Sequence, residues 1–453
     1  MTAVSDAPET ALAGLPNLAR YTAVLDGLRT MRLSGQIAQV VGITIEARGL
    51  DCQVGEVCRI EPRSAAPLLA EVVGFRDGRA LLMPLGEMQG IQAGSPIYPL
   101  RTVFRAPVGQ GMLGRVLNGM GEPIDGRGPL PSHETAPIYN GAPHPLRRTM
   151  ITQPLVTGVR AIDGLLTCGQ GQRLGIFAGS GVGKSTLMGT IARSSRSDVS
   201  VIGLVGERGR EVQEFIERDL GPVGLARSVV VVSTSDQPAL VRLKAAWVAT
   251  TIAEYFRDQG LAVTFLMDSV TRFAMAQREV GLAVGEPPAS KGYTPSVFAL
   301  LPKLLERAGT AERGSITGFF TVLVEGDDFN EPICDACRSI LDGHIVLTRE
   351  LAARNHYPAI DVLSSVSRVM PAVTQPAHRD AAAHMRRLLA AYEKARDLIN
   401  IGAYVAGSDP DIDAALAALP AMNSFLRQGV DFTPFDDTLR ALTAIQQGVT
   451  HAA

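Results

Sequence analysis

The chain has 453 residues, of which 46% are apolar and 19% are charged, a composition typical of a folded globular protein. This length exceeds what one hydrophobic core usually supports, so several domains are expected. The 43 basic and 45 acidic residues leave a formal charge of -2, which gives no net attraction to nucleic acid or to an anionic membrane. Residues 1–21 lack a signal-peptide pattern and no apolar run is long enough to cross a bilayer, so we predict a cytoplasmic location.

In chain order, the first segments are a short arm and a β domain. Residues 1–30 are rich in Ala and Leu and contain two prolines, which indicates an arm rather than a domain. Residues 31–100 contain short β-branched runs separated by glycine turns, and Asp77-Gly78 is typical of a tight hairpin. We predict a small β-barrel with strands over 36–41, 43–45, 68–73 and 80–83.

The middle of the chain, residues 101–375, predicts an α/β domain. A loop-rich connector over 101–150 leads into apolar runs that alternate with helical stretches. Continuous apolar strands separated by helices indicate a mostly parallel sheet covered on both faces. The predicted strands are 173–178, 200–205, 228–233, 263–268 and 318–324.

The last segment, residues 376–453, contains no strand pattern. Apolar residues recur there at intervals of three and four from Ala382 to Ile399, which predicts a long amphipathic helix. The predicted fold class is therefore multidomain, with an N-terminal β-barrel, a central α/β domain and a C-terminal α-helical domain.

A glycine-rich loop follows the first predicted strand of the central domain and precedes a predicted helix. Such a loop turns its backbone N–H groups toward phosphate oxygens, while its lysine reaches the β and γ oxygens and its serine hydroxyl can bind magnesium. Ala178 stands where the strict pattern has glycine, and we expect its single methyl group to be tolerated. The candidate phosphate-binding residues are Gly179, Ser180, Gly181, Val182, Gly183, Lys184, Ser185 and Thr186.

Two carboxylates follow other predicted strands of the same sheet. Asp268 ends the strand 263–268, where it could hold magnesium through water. Glu207 directly follows the strand 200–205 and is a candidate for orienting an attacking water. If Glu207 has this role, Arg208 would be an accessory phosphate contact. On spacing alone, Glu207 is equally consistent with a solvated carboxylate in a charged run.

The five cysteines are an odd number, which fits reduced thiols better than a disulfide framework. Cys334 and Cys337 have the spacing of a redox motif. We favour a packing role for both, one turn apart on a helix, because no second cysteine pair completes a zinc site.

Taken in order, five motifs resemble the catalytic core of the rotary ATP synthase family, which implies a P-loop ATPase domain of the RecA-like kind. Within that family, the segments 273–278, 291–297 and 399–410 most resemble the flagellum-specific export ATPases, and the injectisome type III secretion ATPases are close relatives. The five motifs are Gly179 to Ser185, Gly206-Glu-Arg208, Leu266 to Arg272, Gly285-Glu-Pro-Pro288 and Ser364-Ser-Val-Ser-Arg368.

The resemblance implies ATP and Mg²⁺ as ligands and gives each matching residue a role. Lys184 and Ser185 would bind phosphate and magnesium, Glu207 would act on the attacking water, Arg208 would lie near the γ-phosphate and Asp268 would bind magnesium. Tyr357 matches the aromatic residue that stacks on adenine, although, taken alone, a Tyr before Pro is more often a packing residue. Arg368 matches the arginine finger that reaches into a neighbouring subunit.

One chain carries both Glu207 and Arg368, so a ring of identical subunits would have a complete site at every interface. We therefore predict a homohexamer. The resemblance also implies a stator-like regulatory protein on residues 1–30, a coiled-coil stalk, and an export gate, chaperones and export substrates at the cytoplasmic face of the inner membrane. An RNA translocase of the termination-factor type is a remote alternative, because only Phe75 and Tyr98 are aromatic between Arg32 and Leu100. We expect no nucleic-acid partner.

Overall fold

The computed structural model describes residues 34–63, 65–131, 134–324, 326 and 328–448. The predicted arm, residues 1–30, lies outside the described residues. In the described part of the chain, the first domain is a closed six-stranded barrel with the order β1-β2-β5-β4-β3-β6. Its strands are β1 (Gly35–Val41), β2 (Thr44–Arg48), β3 (Glu56–Ile60), β4 (Leu68–Arg76), β5 (Arg79–Pro84) and β6 (Pro96–Val103).

The hairpin between β4 and β5 forms at the predicted turn. Asp77 and Gly78 have φ angles of 50° and 72°, the positive values that a tight primed turn requires. Sequence reasoning missed β3 and β6 because neither has a clear run of β-branched residues, and β6 contains two prolines. Apolar side chains from both the predicted and the missed strands fill the barrel, among them Ile37, Ile45, Cys58, Val72, Leu82 and Ile97.

The central domain contains a largely parallel sheet, which is nine-stranded when counted over the described residues. Its main path has the order β19-β18-β12-β17-β15-β13-β14-β8, and β19 runs antiparallel to β18. Short strands accompany the sheet: β7 (Arg105–Pro107), β9 (Thr135–Pro137), β10 (Pro154–Leu155), β11 (Cys168–Gly169) and β16 (Gly309–Thr310). The main strands are β8 (Val116–Asn118), β12 (Arg173–Ala178), β13 (Val199–Glu207), β14 (Ser228–Thr234), β15 (Ala262–Asp268), β17 (Ser315–Leu323), β18 (Gly343–Leu347) and β19 (Ile360–Ser367).

Helices cover both faces of this sheet, which explains why β13 is buried along its whole length. The carboxyl ends of the parallel strands meet at one edge, where ligands bind in open α/β sheets. A π-helical turn over Phe215–Leu220 follows the third helix. The helices of this domain are α1 (Arg160–Leu165), α2 (Lys184–Ser194), α3 (Gly209–Glu214), α4 (Gly221–Ala226), α5 (Ala239–Asp258), α6 (Val270–Val284), α7 (Pro295–Leu305), α8 (Pro332–Ile340), α9 (Arg349–Ala353) and α10 (Met370–Val373).

The C-terminal part is helical, with α11 (Pro376–Asn400), α12 (Pro410–Leu426) and α13 (Phe435–Gln446). This confirms the predicted fold class. The predicted long helix is α11, which buries Met385 and Leu388 against the other helices. Arg160 at the start of α1 donates hydrogen bonds to the carbonyls of Ser424 and Phe425, so the end of α12 is tied to the central domain. Among the described residues, no helix is both long and apolar enough to span a membrane.

Candidate active site

The loop after β12 has the backbone geometry of a phosphate cradle. β12 ends at Ala178, which is buried, and α2 begins at Lys184. Gly181 and Gly183 have φ angles of 79° and 85°, which glycine adopts without the strain that a side chain would add. The first N–H groups of α2 lack partners within the helix and carry the positive end of its dipole. The loop is therefore shaped to bind an anion.

Lys184 is held between two carboxylates that come from the ends of other strands. Its Nζ lies 2.6 Å from Asp268 Oδ1 and 3.7 Å from Glu207 Oε1. The Thr321 hydroxyl donates a hydrogen bond to the same Asp268 oxygen at 2.7 Å. The sheet brings these groups together because β12, β15 and β13 are parallel and end at the same edge. Three of the predicted site residues thus converge.

Charges in this cluster influence one another strongly. Burial is the largest influence on the pKa of Lys184 and lowers it, but attraction by Asp268 and Glu207 outweighs burial and the pKa is raised. Burial and repulsion by Asp268 raise the pKa of Glu207 to about 7. Glu207 Oε1 is also buried without a hydrogen-bond donor. This oxygen is therefore suited to accept a hydrogen bond or a proton from a water molecule.

Arg272 is a site residue that sequence reasoning did not select. Its Nε lies 3.3 Å from Glu207 Oε1, and the Ser269 side chain caps α6 by accepting from the Arg272 N–H at 3.3 Å. A methyl group on Gly206 would come within 2.9 Å of the Arg272 side chain. The available signal was its position four residues after Asp268, which makes it the third residue of α6. Arg272 thus places a second positive charge, after that of Lys184, next to the Glu207 carboxylate.

The donors around the loop fit a magnesium ion that takes most of its ligands from water and phosphate. Both hydrogen bonds to the Asp268 carboxylate use Oδ1, which leaves Oδ2 for a metal-bound water. Ser185 occupies the second position of α2 and is half-buried. Over the described ranges, no cluster of three or more His, Cys, Asp or Glu side chains could hold a metal alone. Magnesium does not need such a cluster beside a polyphosphate.

A cavity of about 380 Å³ opens beside the loop and has a mainly apolar wall. Tyr357 is 41% exposed there, and a methyl group on Gly183 would lie 3.3 Å from its ring. The segment after α12 forms the opposite wall, where the Gln428 N–H donates to the Tyr357 carbonyl at 2.9 Å. Sequence reasoning missed this segment because it is distant in the chain and has no motif. The lining residues are Val159, Gly181, Gly183, Thr186, Leu187, Thr190, Tyr357, Pro358, Gln428, Gly429 and Val430.

Arg208 is not brought to the cluster in this subunit. It precedes α3, its side chain is 75% exposed, and it forms an ion pair with Glu211 at 3.0 Å. Although Glu207 and Arg208 are adjacent in sequence, the strand ends between them and their side chains diverge.

Arg368 lies at the far end of the sheet from the phosphate loop. β19 is antiparallel to β18, so Ser367 pairs with Gly343 at the beginning of β18. The end of β18, Leu347, is in register with Ala178 at the start of the loop. Four residue steps along β18 separate these ends by roughly 13 Å. Arg368 is exposed, and it cannot reach Lys184 of its own chain by a side-chain rotation.

Cys334 and Cys337 are both buried on α8. Burial raises the pKa of Cys334 to about 12 and also raises that of Cys337, so both thiols stay protonated at neutral pH. Their placement is consistent with the packing role favoured from the sequence.

A parallel sheet with a glycine loop, a lysine and two strand-end carboxylates, joined to a β-barrel and a helical domain, defines a nucleotide-binding protein of the ATP synthase type. The nucleotide-binding domain of the ATP synthase alpha/beta family matches residues 158–367, and the beta-barrel domain of that family matches residues 37–101. Residues 374–444 match the T3SS EscN ATPase C-terminal domain.

Curated relatives narrow this class. The chain is 54% identical over 416 residues to the flagellum-specific ATP synthase of Bacillus subtilis, covering 91% of this chain and 94% of the relative. It is 52% identical to the type 3 secretion system ATPase of Xanthomonas euvesicatoria, with coverage of 91% and 94%. The assembled ATPase EscN of enteropathogenic E. coli matches with a TM-score of 0.86 and 48% identity, covering 91% of this chain and 99% of EscN. The chain therefore belongs to the family of flagellum-specific and type 3 secretion system ATPases, and it is an ATPase.

Proposed function

We propose that this ATPase works as a homohexameric ring that energises export of flagellar proteins through a type III secretion apparatus. The observation that carries the ring is the placement of Glu207 and Arg368 at opposite ends of one sheet. A finger that cannot serve its own site can serve the site of the next subunit in a head-to-tail contact, and such contacts form a ring when the rotation between subunits closes. EscN has been solved as an assembled ATPase, which supports the same arrangement.

In this mechanism the phosphate loop binds ATP, with Lys184 moving from its two carboxylates to the β and γ oxygens. Glu207 then holds and polarises the attacking water through Oε1, which accepts no hydrogen bond, while the ion pair with Arg272 restrains the same carboxylate. Arg368 of the neighbouring subunit would stabilise the charge that spreads over the γ-phosphoryl oxygens. Mg²⁺, held by Ser185 and through water by Asp268, would neutralise phosphate charge. Arg208 could contribute near the γ-phosphate only after its side chain leaves Glu211.

Partners follow from the family. EscN has been solved in complex with its central stalk EscO, and that structure matches this chain with a TM-score of 0.84 and 47% identity. We infer that a coiled-coil stalk also binds this ring, that residues 1–30 bind a stator-like regulatory protein, and that the export gate, chaperones and export substrates meet it at the cytoplasmic face of the inner membrane. No nucleic-acid partner is proposed.

The export role is tested by deleting the gene in its own organism. We expect loss of flagella and motility, restored by the intact gene but not by a Lys184→Ala gene. A motile deletion strain that fails instead to secrete proteins through an injectisome would contradict the flagellar assignment. The injectisome alternative is supported by relatives of that kind at 52% and 49% identity.

Tyr357 lies beside the loop and faces an apolar wall, which supports a base-stacking role. We expect Tyr357→Ala to raise the KM for ATP about tenfold with little change in kcat, because stacking on an aromatic ring contributes roughly 1–3 kcal/mol per base. Tyr357→Phe keeps the ring face and should behave like the parent. Steady-state phosphate release as a function of ATP concentration measures both constants. Equal KM values for the Ala and Phe variants would rule out stacking.

A further inference from the structure

Arg349 is a cation beside the phosphate loop that has no role in the mechanism above. β18 and β12 are parallel neighbours, with Leu347 in register with Ala178. The chain leaves both strands at the same edge, into Thr348 and Arg349 on one side and Gly179 on the other. The Thr348 side chain caps α9 by accepting from the Leu351 N–H at 3.4 Å. This cap fixes Arg349 as the first residue of the helix.

The Arg349 guanidinium lies against the first glycine of the loop. A methyl group built on Gly179 would be 3.0 Å from Nε, 3.1 Å from Nη2 and 3.4 Å from Cζ of Arg349. All three of its nearest neighbours therefore belong to this one side chain. The φ angle of Gly179 lies outside the left-handed region, so its backbone would accept an alanine. An alanine at position 179 would therefore meet the guanidinium, which would have to shift, and would not meet a backbone restriction.

Arg349 also differs from several other cations of this domain in its lack of a carboxylate partner among the described residues. Lys184 and Arg272 in the active-site cluster, Arg208 before α3 and Arg354 just after α9 each have a carboxylate within 4 Å. Arg349 is exposed and forms no ion pair with any residue in the part of the chain that the structure describes. An unpaired cation attracts a polyphosphate more strongly than a neutralised one does.

We propose that Arg349 is a positioning residue of the phosphate loop: it supports Gly179 from outside and adds positive potential that favours the more highly charged nucleotide. It acts on the loop by contact and on the nucleotide by its charge, and it does not touch the reacting atoms. This inference rests on the phosphate-loop assignment and is independent of the ring and of the export role.

The charge is tested with Arg349→Met, which keeps most of the side-chain length but no charge. In the Glu207→Gln background, where hydrolysis is blocked, displacement of a fluorescent ADP analogue by ATP and by ADP gives both affinities. We expect ATP affinity to fall about tenfold and ADP affinity clearly less, since the effect scales with ligand charge. Arg349→Lys should restore the preference for ATP. Arg354→Met, directly after the same helix but paired with Glu350, is the matched control and should leave both affinities unchanged.

Equal losses of ATP and ADP affinity, or none, would overturn the electrostatic role. The contact is tested separately with a double-mutant cycle measured as kcat/KM. Gly179→Ala should lower kcat/KM severalfold, and Arg349→Ala added to it should recover part of that loss because the steric conflict is removed. Additive effects would show that Arg349 does not hold the loop at Gly179. Retained hydrolysis in Lys184→Ala would instead undermine the phosphate-loop assignment itself.

Discussion

Mixing Glu207→Gln subunits with Arg368→Ala subunits is expected to restore ATP hydrolysis that neither variant has alone. The first variant lacks the residue that acts on water, and the second lacks the finger, which is worth roughly 10³ to 10⁵ in rate in related nucleotidases. In a randomly mixed ring with equal amounts of both, half the sites keep Glu207 and half of those receive Arg368. About one interface in four is therefore complete. Phosphate release after co-refolding or co-expression measures the recovery.

The control for this experiment is a double variant that carries both substitutions in one chain, mixed with either of the two single variants. Its mixture with Arg368→Ala contains no wild-type finger, so it should stay inactive. Native mass spectrometry must show that mixed rings form. If mixed rings form and remain as inactive as their parents, Arg368 does not act on a neighbouring subunit.

Lys184→Ala is expected to reduce hydrolysis by about 10³ or more and to weaken ATP binding, because the loop loses the cation that reaches the β and γ oxygens. The substitution also leaves Asp268 and Glu207 facing each other without the charge that lies between them, 2.6 Å and 3.7 Å from the lysine in the parent. Repulsion between the carboxylates should then raise the pKa of Glu207 further. Phosphate release and nucleotide displacement measure the two losses.

Lys303→Ala is the matched control for this variant, since Lys303 is exposed on α7 and should leave turnover unchanged. Circular dichroism and thermal unfolding distinguish a folded but inactive Lys184→Ala protein from an unfolded one. Substantial turnover by a folded Lys184→Ala protein would show that this lysine does not bind the phosphates.

The parts of the site that could be predicted from sequence are those whose chemistry is local. The glycine loop needs only a strand before it and a helix after it, and Asp268 needs only the end of a buried strand. Convergence of Lys184, Glu207 and Asp268 then follows from parallel strands ending at one edge. Arg272 had a weaker signal, one helical turn beyond Asp268, and was not selected.

The parts that could not be predicted depend on long-range pairing. Gln428 lines the cavity beside Tyr357 only because the helical domain folds back on α1. No residue spacing near position 428 indicates this contact. Arg349 is close to Gly179 only because β18 lies beside β12. The direction of the Arg208 side chain could not be predicted from the sequence either. Adjacent side chains can diverge at a strand end, and the Arg208 guanidinium forms an ion pair with the Glu211 carboxylate.

Placement of the loop and the finger at opposite ends of one sheet has a genetic consequence for the proposed ring. A subunit with a defective Arg368 would keep its own pocket intact and disable the pocket next door, whereas a defective Lys184 would disable only its own. When variant and normal copies are expressed together, the inactive site therefore lies next to an Arg368 variant subunit but within a Lys184 variant subunit. Each variant subunit should inactivate one site in either case, so the two variants should be equally dominant when each is expressed with the normal copy.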